Sequence, residues 1–332
     1  MLVPVIRYFT CALFALVAVI LSAPAIGAET ARKSTLAPGD YAFTLMHGGI
    51  QRTYRVHMPP QAAGGAPLPV VLNFHGAGSN GQQEEAFSKM DQAADAHGFI
   101  AVYPDGTGRF DRHFTWNAGF CCAYAMSHNI DDVGFTIALI DDLASRTPIM
   151  RRRVYATGMS NGGMMAYRLA AQASAHIAAA APVAGSMVMP RFEPQRPIAI
   201  MAFNSVDDPL LHYAGGYGNH VRALFHRNLG NPGVEAGLAR WVKYDGCSQP
   251  AQAAPPLVGN SASHDAGITA TRYTWAPCKD GVEIVLWKLT GSGHTWPGGA
   301  QGQFERVLGR STGLIDANEE MWRFFSRYEL PR

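Results

Sequence analysis

Val154-Tyr-Ala-Thr-Gly-Met-Ser-Asn-Gly-Gly-Met164 constrains this chain more than any other stretch. A short β-branched and aromatic run drives into Gly158-Met159-Ser160-Asn161-Gly162, and an apolar, Ala-rich helical pattern follows from Met164 to Ala171. That is the layout of a nucleophile elbow: strand, sharp turn, helix, with a serine at the apex. The turn forces the serine into a strained backbone, and only residues without a Cβ fit on either side of it. The serine hydroxyl is then exposed at a helix N-terminus, beside backbone N–H groups able to hold an oxyanion. With 35 glycines in the chain, the five-residue pattern alone decides little, so its flanks and its downstream partners carry the argument.

The first residues read as a leader. Arg7 gives a short positive segment, Cys11 to Leu21 is uninterrupted and apolar, and Ala23-Pro-Ala-Ile-Gly-Ala28 offers small-residue cleavage sites. Cleavage after Ala28 gives a signal peptide over 1–28 and a single catalytic domain over 29–332. The apolar run is too short for a comfortable membrane span, so the expectation is export, extracellular or periplasmic, with no stable membrane insertion. Charged residues are 16% and the net charge is +2, which excludes a field that gathers nucleic acid or anionic lipid. Arg151-Arg152-Arg153 is the one basic run and reads as the solvated start of the elbow strand. Once the leader takes Cys11, the cysteines left are Cys121, Cys122, Cys247 and Cys278. An oxidising compartment favours disulfides; the neighbours Cys121 and Cys122 are too close to bridge cheaply, which slightly favours Cys247–Cys278 over cross-pairing. No cysteine pair has zinc-site spacing, so no metal is expected.

Strand and helix patterns alternate along the chain. Tyr41–Met46 and Gln51–Met58 read as a hairpin around His47-Gly48-Gly49, and Val70–Phe74 as a buried strand ending at His75-Gly76. Glu84–His97 reads as a helix, Phe99–Tyr103 as a strand, Thr107–Asn129 as irregular, and Asp131–Ser145 as an amphipathic helix. Ile177–Ala181, Ile198–Asn204 and Val282–Leu289 are further strands, and Asp316–Arg327 a closing helix. The segment of about 207–240 lacks clear periodicity at its start and is a candidate lid or insertion. This alternation predicts an α/β fold, a mostly parallel central sheet flanked by helices, with functional residues at the carboxyl ends of strands.

A serine hydroxyl needs a base, and the base needs a carboxylate to orient it. After Ser160 come Asp207-Asp208, following the strand Ile198–Asn204, and His294, following Val282–Leu289. Each stands where a strand runs out. Glycines surround His294, and Thr295-Trp296-Pro297-Gly298-Gly299 follow, a loop able to hold one ring in a fixed pose. Asp208 precedes a proline, which keeps it extended and aimable; Asp207 then caps the loop or faces solvent. The expected catalytic set is Ser160, Asp208 and His294, with an oxyanion hole from the backbone N–H of Asn161 and of Gly76 or Ala77. His75 reads as a structural hydrogen-bonder, and Trp116, Asn117 and Trp296 as aromatic and polar surroundings for the substrate.

Assembled, the chain resembles the secreted polyhydroxybutyrate depolymerase-like esterases, which group with feruloyl and acetylxylan esterases in the α/β-hydrolase superfamily. The likeness covers about Tyr41 to Phe325. It rests on Phe74-His75-Gly76, Trp116-Asn117-Ala-Gly119 with Cys121-Cys122, Asp131-Asp132-Val133-Gly-Phe135, the elbow, Asp208-Pro209 and Gly293-His294-Thr-Trp-Pro-Gly-Gly299. It departs at Asn204-Ser205-Val206, where such proteins commonly carry His-Gly-Thr. The resemblance implies an α/β-hydrolase fold with an N-terminal antiparallel hairpin, no cofactor, and hydrolysis of short-chain, hydroxyacyl or feruloyl and acetyl esters through a serine acyl-enzyme. The partner is then a small or oligomeric ester. Two other readings stay open: a serine peptidase on the same fold, and a non-catalytic binding protein on a hydrolase scaffold.

Overall fold

The hairpin comes first and sets one edge of the sheet. In the computed structural model, strand β1 (Gly39–His47) pairs antiparallel with β2 (Ile50–Met58), and β2 pairs antiparallel with β4 (Ile100–Pro104). The structure describes Met1 and residues 35–109, 113–218, 231–300, 302 and 304–332. The expected signal peptide, and 219–230 of the candidate insertion, lie outside those residues. Lys33–Arg332 form one compact unit. Among the described residues, no helix is long and apolar enough to cross a membrane.

The centre of the sheet is parallel: β4, β3 (Leu68–Phe74), β5 (Ile149–Met159), β6 (Ala179–Val183), β7 (Ala199–Ser205) and β11 (Ile284–Thr290) lie side by side in that order. Beyond β11 the sheet turns antiparallel through β10 (Thr269–Trp275), which also pairs with the short β8 (Gln252–Ala253) and β9 (Leu257–Val258). β10 is a strand that the sequence reading passed over.

Period-two alternation sends β3 side chains to two cores. Val70, Leu72 and Phe74 belong to the core shared with α4 (Asp132–Arg146), α5 (Asn161–Gln172) and α6 (Val234–Tyr244), while Val71 belongs to that of α2 (Met90–His97) and α8 (Ala317–Phe325). Each such fully buried aliphatic chain stabilises the fold by about 1.5–3 kcal/mol. α8 is capped by Asp316, which accepts from the N–H groups of Asn318 and Glu319, and it buries Met321, Phe324 and Phe325. The remaining helices are α1 (Gly81–Ser88), α3 (Ala123–Ser127) and α7 (Glu305–Leu308).

Three expectations are corrected. The helix read over Glu84–His97 is two helices, because Lys89 adopts φ 55° and breaks the ladder between α1 and α2. The arginine run is not merely solvated: Arg152 Nε donates to Leu330 O at 2.7 Å, Arg152 Nη2 to Glu329 at 2.8 Å, and Arg153 Nη2 to Ser326 O at 3.2 Å. Cys247 and Cys278 are bridged as favoured, but so are Cys121 and Cys122.

Candidate active site

Ser160 follows β5 at the N-cap position of α5 with φ 57° and ψ −117°, a conformation that a residue with a side chain avoids unless its surroundings enforce it. Those surroundings are tight. A Cβ on Gly162 would lie 1.8 Å from Phe74 O, and one on Gly158 would lie 2.4 Å from the same carbonyl. The Ser160 N–H donates to Val183 O at 2.9 Å, pinning the turn to β6. Asn161 is buried at the first position of α5, where backbone N–H groups have no partner within the helix. Its side chain instead clamps Trp116, accepting from Trp116 N–H at 2.7 Å and donating to Trp116 O at 3.1 Å.

β7 and β11 are parallel neighbours with Ser205 opposite Leu289, so the loops after them emerge together. Asp208 Oδ2 lies 2.6 Å from His294 Nδ1, and both residues are buried. The other Asp208 oxygen accepts from the N–H groups of Leu210 and Leu211, each at 2.8 Å, so the carboxylate cannot swing away. Asp207 is exposed and accepts from Gly291 N–H at 2.6 Å, fixing the turn that leads to the histidine. Gly293 and His294 are tied by their N–H groups to Arg310 O (2.8 Å) and Leu308 O (2.5 Å).

Ser160 and His294 face one cavity of about 590 Å³, walled also by Gly76, Ala77, Glu84, Phe87, Met159, Leu210, Phe304 and Val307. Pockets of about 300–1,000 Å³ suit small ligands. Sequence reasoning missed Glu84, Phe87, Leu210, Phe304 and Val307; none carries a motif, and only the folded chain brings α1 and α7 to the serine. A cavity of about 530 Å³ at the other end of β5 is lined by Arg151, Arg152, His176 and Arg196. Its Arg152 and Arg196 are taken up by backbone carbonyls, and Arg151 by Asp141.

Gly76 is close to the elbow: a Cβ there would sit 3.6 Å from Ser160 Cβ. His75 is fully buried, with Nδ1 2.7 Å from Gly76 O and Nε2 accepting from Gly106 N–H at 3.0 Å. Burial pushes its imidazole down to about 4, so it is a neutral strut between two loops. The three residues expected to surround the substrate, Trp116, Asn117 and Trp296, are not among those that line the cavity of Ser160 and His294. Trp116 packs edge-on against Phe74 and donates its indole N–H to His75 O at 3.0 Å. Asn117 is bolted to Asp132 and Ile130 O. Trp296 is buried and bonded to Asn318. All three brace the loops behind the cavity, because their ring and amide donors find partners in the core.

The parallel sheet, the strained serine turn and the acid and base on adjoining strand ends define the class, an α/β-hydrolase fold. An acetyl xylan esterase from Aspergillus awamori shares that fold, with a TM-score of 0.54 at 12% identity, over 86% of this chain and 99% of that one. A profile of the X-Pro dipeptidyl-peptidase (S15) family matches residues 48–191. Feruloyl esterase B of Piromyces equi is 30% identical over 74% of this chain, which spans 43% of that longer protein. NocK, an esterase by name, of Nocardia uniformis subsp. tsuyamanensis is 30% identical over 76% of this chain and 72% of its own length. The chain belongs to the α/β-hydrolase esterase family that includes these relatives.

Proposed function

We propose that the protein is a serine carboxylic ester hydrolase acting through an acyl-enzyme, with Ser160, His294 and Asp208 as its catalytic triad. Ser160 Oγ attacks the ester carbonyl carbon while His294 Nε2 takes its proton. Asp208, held on its other side by two backbone N–H groups, orients the ring through Nδ1 and stabilises the imidazolium. The tetrahedral oxyanion is met by the backbone N–H of Asn161 and of the Gly76-Ala77 loop. His294 returns the proton to the leaving alcohol, the acyl-enzyme forms, and water repeats the path to release the acid. The observation that carries this reading is the buried His294–Asp208 pair at 2.6 Å opening onto the cavity of the strained Ser160.

The substrates we propose are short-chain, hydroxyacyl, feruloyl or acetyl esters, cleaved after export of the protein. Support comes from the cavity's size, from its mixed wall of Phe87, Phe304 and Gln83, and from a relative named as a feruloyl esterase. Purified protein assayed on p-nitrophenyl acetate, methyl ferulate, acetylated xylan, soluble hydroxybutyrate oligomers and a long-chain triglyceride tests it. Preference for the triglyceride, or no turnover of any ester, overturns the reading. Peptidase action is the second reading, favoured by the S15 match. That match ends before both Asp208 and His294, so it does not separate the two chemistries. Hydrolysis of an Xaa-Pro p-nitroanilide faster than of any ester in the panel would select it.

A further inference from the structure

The two halves of the oxyanion hole come from different parts of the chain, one from the start of α5 and one from the loop after β3. Such a hole works only if its donors are fixed before charge develops, so something must hold the two halves in register. One buried residue touches both. The Asn161 side chain accepts from Trp116 N–H at 2.7 Å and donates to Trp116 O at 3.1 Å. The indole of the same tryptophan, 0% exposed, donates to His75 O at 3.0 Å. That oxygen belongs to the peptide unit whose N–H is that of Gly76. A trans peptide is planar, with C=O and N–H pointing opposite ways, so the indole also sets the direction of the Gly76 N–H.

His75 carries the constraint one peptide further. Gly106 N–H donates to His75 Nε2 at 3.0 Å, so Nε2 is bare and the ring proton sits on Nδ1, 2.7 Å from Gly76 O. Ser79 N–H donates to the same oxygen at 3.2 Å. The Gly76–Ala77 peptide is thereby held, and the Ala77 N–H points away from Gly76 O. That N–H has no hydrogen-bond partner among the described residues, and Ala77 stands on the wall of the cavity with Ser160. The indole itself is wedged, edge-on to Phe74 with ring centroids 5.0 Å apart and tilted against the His75 ring at 5.0 Å.

We propose that Trp116 is a positioning residue that fixes the two halves of the oxyanion hole relative to each other: its backbone anchors Asn161, and its indole anchors the His75-Gly76-Ala77 loop. The inference rests on the esterase reading. Trp116 does not line the cavity, so it acts through the donors it holds. A donor turned out of line costs little while the substrate carbonyl is neutral and much once the oxygen carries charge. Loosening this strap therefore lowers kcat and spares KM. A tryptophan that only filled core space would, when replaced, lower the melting temperature and leave the kinetics of the folded protein unchanged.

Trp116→Phe keeps an aromatic ring against Phe74 and keeps the backbone clamp on Asn161, and it removes the indole donor. Asn161→Ala cuts the strap at its other end. The test is kcat and KM for p-nitrophenyl acetate in wild type, both single variants and the double variant, with thermal melting to show that each is folded. Each single variant is expected to lose about tenfold to a hundredfold in kcat, with KM within about threefold of wild type. Both cuts sever one strap, so the loss in the double variant falls short of the product of the two by at least about threefold. The Ki of a phenyl trifluoromethyl ketone, which Ser160 converts to a tetrahedral oxyanion, rises in step with the loss of kcat/KM, while the Ki of benzyl alcohol stays put. A folded Trp116→Phe with wild-type kcat, a loss confined to KM, or losses that simply multiply would overturn the proposal. If Trp116→Phe does not fold, Asn161→Ala decides by the same split and the same ketone, and a wild-type kcat there overturns it. Wild-type protein that neither turns over an ester nor binds the ketone fails the esterase reading, whereas active wild type with undisturbed variants fails this inference alone.

Discussion

In the mechanism we propose, Ser160 and His294 act as one proton-transfer unit, so neither is useful without the other. Ser160→Ala and His294→Ala are each expected to cost on the order of 10⁶ in kcat, with unchanged circular dichroism. Steady-state hydrolysis of p-nitrophenyl acetate checks this, and a near-wild-type rate in either variant refutes the assignment. The two neighbouring aspartates separate by partner: Asp208 touches the imidazole, whereas Asp207 touches only a turn N–H. Asp208→Asn is therefore expected to lose about 10⁴ in kcat, and Asp207→Asn less than about tenfold. The reverse ranking would shift the acid by one position. That Asp208 is the one of the pair that meets His294 was readable in the sequence, since a residue before proline is biased toward extended backbone. The roles given to Trp116 and Trp296 were not legible, because a tryptophan beside a catalytic motif looks the same whether its indole N–H meets a substrate or, as here, a carbonyl in the core.

At the scale of elements, the elbow is a close packing of three backbones. Gly162→Ala would drive a methyl into Phe74 O, so the turn must open and Ser160 must move. The expected outcome is a stability loss of roughly 1–3 kcal/mol with activity reduced far beyond that, read by thermal melting and kcat. Unchanged activity would mean that β3 yields easily. The Cys247–Cys278 bridge closes a loop of sequence separation 31 and ties the end of α6 to the turn before β11. Its double replacement by serine is expected to cost up to about 3–4 kcal/mol, lowering the denaturation midpoint without altering KM. The sequence announced elements with strong periodicity, such as β3, α4 and α8. It concealed the break at Lys89, since a positive φ leaves no mark in composition, and it concealed β10, whose alternating threonines carry little apolar signal.

Across the whole molecule, buried titratable groups pull stability in opposite directions with pH. His75 is held down to about 4, so below about 6.5 the unfolded chain gains a proton that the folded one refuses, and stability falls as pH drops from 6.5 toward 4. Burial holds Glu84 up to about 8 and Asp245 up to about 7, so each contributes stability that is complete below its unfolded value and is lost as pH rises through the folded one. Burial lowers His57, but its bonds to Asp95 and Asp40 more than compensate, which adds to the alkaline loss. Above about pH 6.5 these contributions all run the same way, so scanning calorimetry should show the melting temperature falling from about pH 6.5 to about pH 8, with Glu84→Gln flattening that fall. A maximum above pH 8 would contradict these burials. The parallel sheet was legible from strand–helix alternation, but its order was not, because nothing local in a sequence says that β7 and β11 lie together. Nor did it say that Arg152 meets Leu330, 178 residues further along. That contact, with those of Arg153 and Tyr155 to Ser326 and Tyr328, gives the molecule a direction in time. The ribosome delivers the serine turn first, the histidine later, and the stitch across the start of the serine's own strand after both. A chain broken off between serine and histidine would hold Ser160 without His294 and without the fastening of its strand, and on the proposed mechanism it would be chemically silent.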